Sequence, residues 1–204
     1  AKTDGIALFV EELARMVLDA APGPDGVLPE RSIPATLQDS LMARLDRLES
    51  AKAVAQLASA IGREFSHELL AAVAPLEPEA LAHALDELVA ADLLHRRGDG
   101  PRASYAFRHA LIQDAAYESL LRGLRQQHHA RIAEALAQRS PQSPPEVVAH
   151  HFTEAHRFDE AITFWRHAAQ RALERSANAE AVAHVSRALQ LLVGLPETQA
   201  RDRQ

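Results

Sequence analysis

Arg108 and His109 are the side chains of this sequence best placed to do chemistry. They follow Ser104-Tyr105-Ala106-Phe107, where Tyr105 and Phe107 alternate as in a strand. They precede Leu111, Ile112, Ala115 and Ala116, which recur at helical spacing, with Leu120 and Leu121 continuing the face. A strand that runs directly into a helix leaves first-turn backbone N–H groups beside those two side chains, so the corner can face an anion. His109 can equally cap its own helix or hydrogen-bond inside the domain. Arg96, Arg97 and Arg102 join Arg108 on the hairpin and the corner. That basic edge is either a solvated wing or a surface that approaches a nucleotide or an acidic partner.

The eleven histidines raise a second chemistry, metal binding. His128-His129 and His150-His151 are adjacent pairs, and neighbours on a helix point about 100° apart, so neither pair chelates well by itself. No two histidines have the i, i+4 spacing of a two-point helical site, and no metal site is expected. His150, His151, His156 and Trp165 are expected as packing residues at helix seams. There is no cysteine, which excludes disulfides, thiolate zinc sites and a cysteine nucleophile. The sequence also lacks a Gly-rich phosphate loop of the P-loop or dinucleotide type, HExxH and GxSxG. By itself, then, the chain is not expected to be an enzyme.

The elements that must position these groups are mostly helical. Of the 204 residues, 47% are apolar but only 4% aromatic, so Ala and Leu carry the hydrophobic signal, which favours closely packed helices. Leu8, Phe9, Leu13, Met16 and Val17 mark a first helix, and a Pro/Gly loop covers 21–26. Ser32-Ile33-Pro34 opens a second helix whose seam is Leu37, Leu41, Leu45 and Leu48. A third helix carries Val54, Leu57, Ala58 and Ile61 and stops at Gly62; Ser66 caps a short fourth over 68–73. A fifth spans about 79–91. The segments 93–97 and 104–107 then form a β-hairpin around the turn 98–101. Three helices followed by a hairpin is the order of a winged-helix domain.

Gly123 is read as a break before a helix of about 125–139, and Ser140 to Pro145 as a linker. Helices of about 146–156, 158–175 and 178–193 come next. Phe158-Asp159-Glu160-Ala161-Ile162 resembles Asn178-Ala179-Glu180-Ala181-Val182, a weak internal repeat of the helix-pair solenoid kind. Ala161, Ala168, Ala172, Ala181 and Ala188 let such helices approach closely. The expected fold is therefore mainly α: a helical lid fragment over 1–49, a winged-helix domain with one small β-hairpin over 50–122, and tetratricopeptide-like helical repeats over 123–204.

Net charge is −6, which argues against a general nucleic-acid binder. The helix before the hairpin carries Glu79, Asp86 and Glu87, with Asp92 just after them and no Lys or Arg, so phosphate repulsion opposes its entry into a DNA groove. No apolar run approaches the roughly 20 residues that cross a bilayer, so no membrane role and a cytoplasmic location are expected. The chain opens without Met and closes in a polar tail, which points to a piece of a longer protein.

Three blocks carry a family resemblance. Thr3 to Leu13, Ile33 to Leu41 and Phe107 to Tyr117, with Glu174 to Ala181, resemble the predicted STAND-type ATPases of bacterial signalling proteins. These are commonly fused to a class III adenylate cyclase domain and followed by tetratricopeptide-like repeats. The resemblance covers nearly the whole chain and implies that the chain comes directly after a P-loop core: lid, winged helix and the start of a repeat array. Gly5-Ile6-Ala7 matches the family's Gly-x-Pro turn near the adenine, with Ala7 in place of Pro. His109 falls where related ATPases carry the His of a Met-His-Asp motif that contacts the β-phosphate of ADP; Arg108 and Ala110 replace its neighbours. The resemblance thus implies a nucleotide-sensing set of His109, Arg108, Gly5 and Ala7, with no cofactor in the fragment itself and ATP or ADP with Mg in the intact parent. It implies as partners an upstream ATPase core, an effector domain and a protein or signal held by the repeats. A winged-helix transcription regulator and a tetratricopeptide-type interaction scaffold are the alternatives.

Overall fold

The computed structural model describes residues 37–139 and 143–193. The first expected helix, the loop after it, and Gly5 and Ala7 lie outside those residues. Among the described residues the chain is mainly helical, with nine α-helices and one three-stranded antiparallel sheet. None of those helices is long and apolar enough to cross a membrane.

The first part runs α1 (Leu37–Asp46), α2 (Glu49–Ile61), β1 (Glu64–Ser66), α3 (His67–Val73), α4 (Pro78–Ala90), β2 (Leu94–Arg97), β3 (Ser104–Phe107) and α5 (Ala110–Glu118). Its boundaries arise from local chemistry. Gly62, at φ 149°, ends α2 with its N–H on the Ala58 carbonyl. Ser66 caps α3 by accepting the Leu69 N–H at 3.1 Å. Pro78 starts α4 where a missing N–H costs nothing. The order helix, strand, two helices, strand, wing, strand is that of a winged helix.

Two details differ from the sequence reading. The hairpin gains a third strand, since β1 pairs antiparallel with β3 and gives the order β1-β3-β2. Three residues are too few for an alternation to show. At the far end, α5 stops at Glu118, so Leu120 is buried but Leu121 is 78% exposed and does not continue the face. Leu111 also stands outward.

The core of this part gathers Leu41 and Leu45 of α1, Val54 and Leu57 of α2, Leu81, Leu85 and Leu88 of α4, and the inner face of the sheet. Phe65 and Tyr105 stack there at 5.8 Å between centroids.

The second part is α6 (Arg122–Gln138), α7 (Pro145–Glu154), α8 (Phe158–Glu174) and α9 (Asn178–Val193), each packed on the next. Gly123 does not break the chain; it lies in the first turn of α6, where few intrahelical bonds depend on it. The turns into α8 and α9 share a left-handed residue and a closing hydrogen bond at an offset of twenty residues. His156 and Ser176 both take φ 59°. The Arg157 N–H donates to Phe152 O and the Ala177 N–H to Ala172 O, both at 2.9 Å. Ala161, Ala168, Ala172, Ala181 and Ala188 are all buried, as close helix approach requires. α6 serves both cores: Ile132 belongs to the first and Ala133, its neighbour, to the second.

Candidate functional site

The register of the sheet decides what stands at the strand-to-helix corner. Glu64, Ala106 and His95 form one cross-strand row, and Arg97 follows His95 on the same face. Ala106 offers only a methyl at the centre of the row, and a cleft of about 440 Å³ opens there. Around it stand Arg63, Arg97, Arg108, His95 and His109, against the single carboxylate of Glu64. Three guanidiniums facing one carboxylate make the cleft positive.

Arg108 is fixed in this setting. Its Nη1 is 2.9 Å from Asp92, and its backbone N–H donates to Leu93 O at 3.1 Å. Asp92 reaches it from the end of α4 because that residue turns through φ 58°. Arg63 and Arg97 are exposed and form no ion pair with a described residue. His109 occupies the N-cap position of α5 with extended backbone, φ −135° and ψ 147°, yet its side chain makes no capping hydrogen bond. The capping role open to it from sequence is not realised. Its carbonyl is used, accepting the Ile112 N–H at 3.1 Å, while the half-buried imidazole remains on the cleft. Such a set can hold a phosphate-like anion through guanidinium and imidazole donors; it contains no nucleophile paired with a base.

The wing arginines divide between two tasks. Arg96 turns back to α4, with Nη1 3.3 Å from Asp86 and Nη2 3.7 Å from Asp99. Arg102 lies in the short 3-10 turn Gly100–Arg102, exposed and away from the cleft. Sequence reasoning grouped both with Arg97 and Arg108 and did not include Arg63 or His95. Alternation on β2 and the small Ala106 opposite His95 were the available signals for the latter.

A second constellation lies at the seam of the two parts. His129 Nδ1 and His151 Nδ1 are 2.8 Å apart, and His129 Nε2 is 2.9 Å from the Tyr117 hydroxyl. One hydrogen-bonded chain thus ties α5, α6 and α7. Burial pushes His129 down to about 4, aided by the nearby charges of His150, Arg125 and His128. Burial likewise pushes His151 down to about 3, with His129 and His150 adding to it. Both are neutral at ordinary pH, and of the two facing Nδ1 atoms one donates and the other accepts.

Of the expected seam residues, His151 and Trp165 are buried, and Trp165 Nε1 donates to Thr153 Oγ1 at 3.2 Å. His150 and His156 are exposed instead. His156 has left its helix at a positive φ and lies against Phe158, while His150 points to the cleft side of α7. The sequence reading weighed each histidine pair by itself. The structure joins one member from each, 22 residues apart, which no spacing rule within a helix reveals. Among the described residues no three His, Asp or Glu side chains stand so as to hold a metal ion.

No family model matches the chain, and no solved structure matches it. The chain is 31% identical over 201 residues to an uncharacterized protein of Rhizobium meliloti (strain 1021). The match covers 95% of this chain and 20% of that protein, so the chain spans about a fifth of its relative's length.

Proposed function

We propose that this chain is the regulatory half of a nucleotide-switched signal-transduction ATPase of the STAND type, working in the cytoplasm. It couples nucleotide state and partner sensing to an effector such as an adenylate cyclase. One observation carries this reading: His109 stands on a positive cleft with an imidazole that the fold uses for neither a cap nor a core contact. In the parent protein, an upstream P-loop core presents ADP and Mg, and His109 and the fixed Arg108 take the β-phosphate. Gly5 and Ala7 belong to the adenine side of the same site. Exchange for ATP releases the winged helix, and the helix pairs pass on the state of their partner. A relative about five times as long supports this reading, because it leaves room for a core and an effector in one protein.

The test is made in the parent. His109→Ala should loosen ADP about tenfold, the worth of one hydrogen bond to a charged group, and raise basal effector output. Unchanged ADP affinity removes the sensor role. The DNA-binding alternative is opposed by α4, where Glu79 and Glu87 remain exposed or half-buried and Asp86 already engages Arg96. A salt-dependent gel shift with this chain would restore it.

A further inference from the structure

We propose that the cleft between the winged helix and the helix pairs docks a basic protein segment, its Lys or Arg side chains reaching Glu146, Glu154 and Asp114. The inference rests on reading the helix pairs as the partner-sensing half and names the chemistry of that partner.

The cleft has a volume of about 630 Å³ and is walled by α5 and the end of α2 on one side and by α7, α8 and α9 on the other. Glu146, His150 and Glu154 succeed one another at i, i+4 and i+8 on α7, which spreads the two carboxylates over about 12 Å of helix. Asp114 lines the same cleft from α5. None of the three carboxylates forms an ion pair or hydrogen bond with a described residue, although Glu146 and Glu154 are half-buried. These carboxylates give the cleft a negative edge that a cation brought from outside can pair with. The cleft's own arginine, Arg187, is laid over the Trp165 ring at 4.8 Å.

An independent feature points to the same ligand. His151 is only 3% exposed, and its Nδ1 is taken by His129. Its Nε2 has no hydrogen-bond partner among the described residues. The side chain lines the cleft. When His151 donates from Nδ1 and His129 donates on to Tyr117, that Nε2 is a bare acceptor. An ammonium or guanidinium donor arriving there selects this tautomer series. The separation of the carboxylates suits several basic side chains along a segment better than one ion, in keeping with the absence of a three-ligand cluster among the described residues.

The experiment titrates this chain with a fluorescein-labelled peptide of three Lys-Arg-Gly repeats at physiological salt, read by anisotropy. Saturable binding is expected, weakened about tenfold or more by Glu146→Gln/Glu154→Gln. Glu77→Gln/Glu79→Gln, the same charge change at the start of the far helix α4, should leave it unaltered. Equal weakening by both double variants assigns the effect to the overall charge of −6 and overturns the proposal. So does the absence of saturable binding, or Zn²⁺ uptake at the cleft without peptide binding. ADP takes no part in the readout, so failure of the sensor role and failure of this docking site are told apart.

Discussion

The winged helix and the helix pairs weight their cores differently, the first toward leucine, although it also buries alanines of α2 and α5, and the second toward alanine. The first fills its core with side-chain volume: Leu70, Leu81, Leu85, Leu88, Leu93 and Leu94 are all at most 1% exposed. The second fills its core by bringing backbones together over Ala133, Ala149, Ala161, Ala168 and Ala188, with Phe152 and Trp165 set among them. A core made of volume is weakened by taking atoms away. A core made of proximity is weakened by adding them.

The largest effect that can break this comparison is Leu85→Ala, expected to cost about 2–5 kcal/mol of unfolding free energy, measured by urea denaturation. Its counterpart, Ala168→Leu, should cost about 1–3 kcal/mol by overpacking α8 against its neighbours. If Ala168→Leu is tolerated, the helix pairs are looser than the alanine seam implies.

The next effect concerns the seam itself. His129 and His151 are held neutral by burial, with folded values near 4 and 3 against an ordinary value near 6.5. The unfolded chain therefore binds protons first. The stability from the pair is fully present above pH 6.5 and is lost as pH falls from there through about 4 and 3. Urea midpoints taken from pH 7 to 4 should fall more steeply for the native chain than for His129→Leu/His151→Leu. Parallel slopes would show that the pair does not couple the two regions to protons.

The smallest effect separates two turns of like geometry. Asp92 in the winged helix and Ser176 between α8 and α9 have φ of 58° and 59°. Ser176→Gly should stabilise the chain by about 0.5–1 kcal/mol, since glycine adopts that conformation freely. Asp92→Gly should show no such gain in thermal unfolding, because it also removes the carboxylate that holds Arg108.

How much of this was legible depends on the range of each interaction. Leu41 and Leu45 of α1, the cap at Ser66, the stop at Gly62 and the alternation of Tyr105 and Phe107 are local, and each stands where the sequence places it, whereas Leu48 lies beyond the end of α1. β1 was not legible, because its pairing partner Tyr105 lies forty residues beyond Phe65. Gly123 misled, since glycine is a reliable breaker only where intrahelical bonds depend on it. At the candidate site, His109 and Arg108 were named from their corner, but Asp92 as the residue that fixes Arg108 needed the fold of α4 against the sheet. The chain from Tyr117 through His129 to His151 was hidden for the same reason.

The division of α6 between two cores has a mechanical consequence. Ile132 and Ala133 are adjacent, and each is sealed into a different core. A roll of the helix about its own axis would drag one of them out of its socket whichever way it turned. The helix is a keyed shaft: it can transmit a tilt from the winged helix to the pairs beyond, but it cannot spin to absorb one.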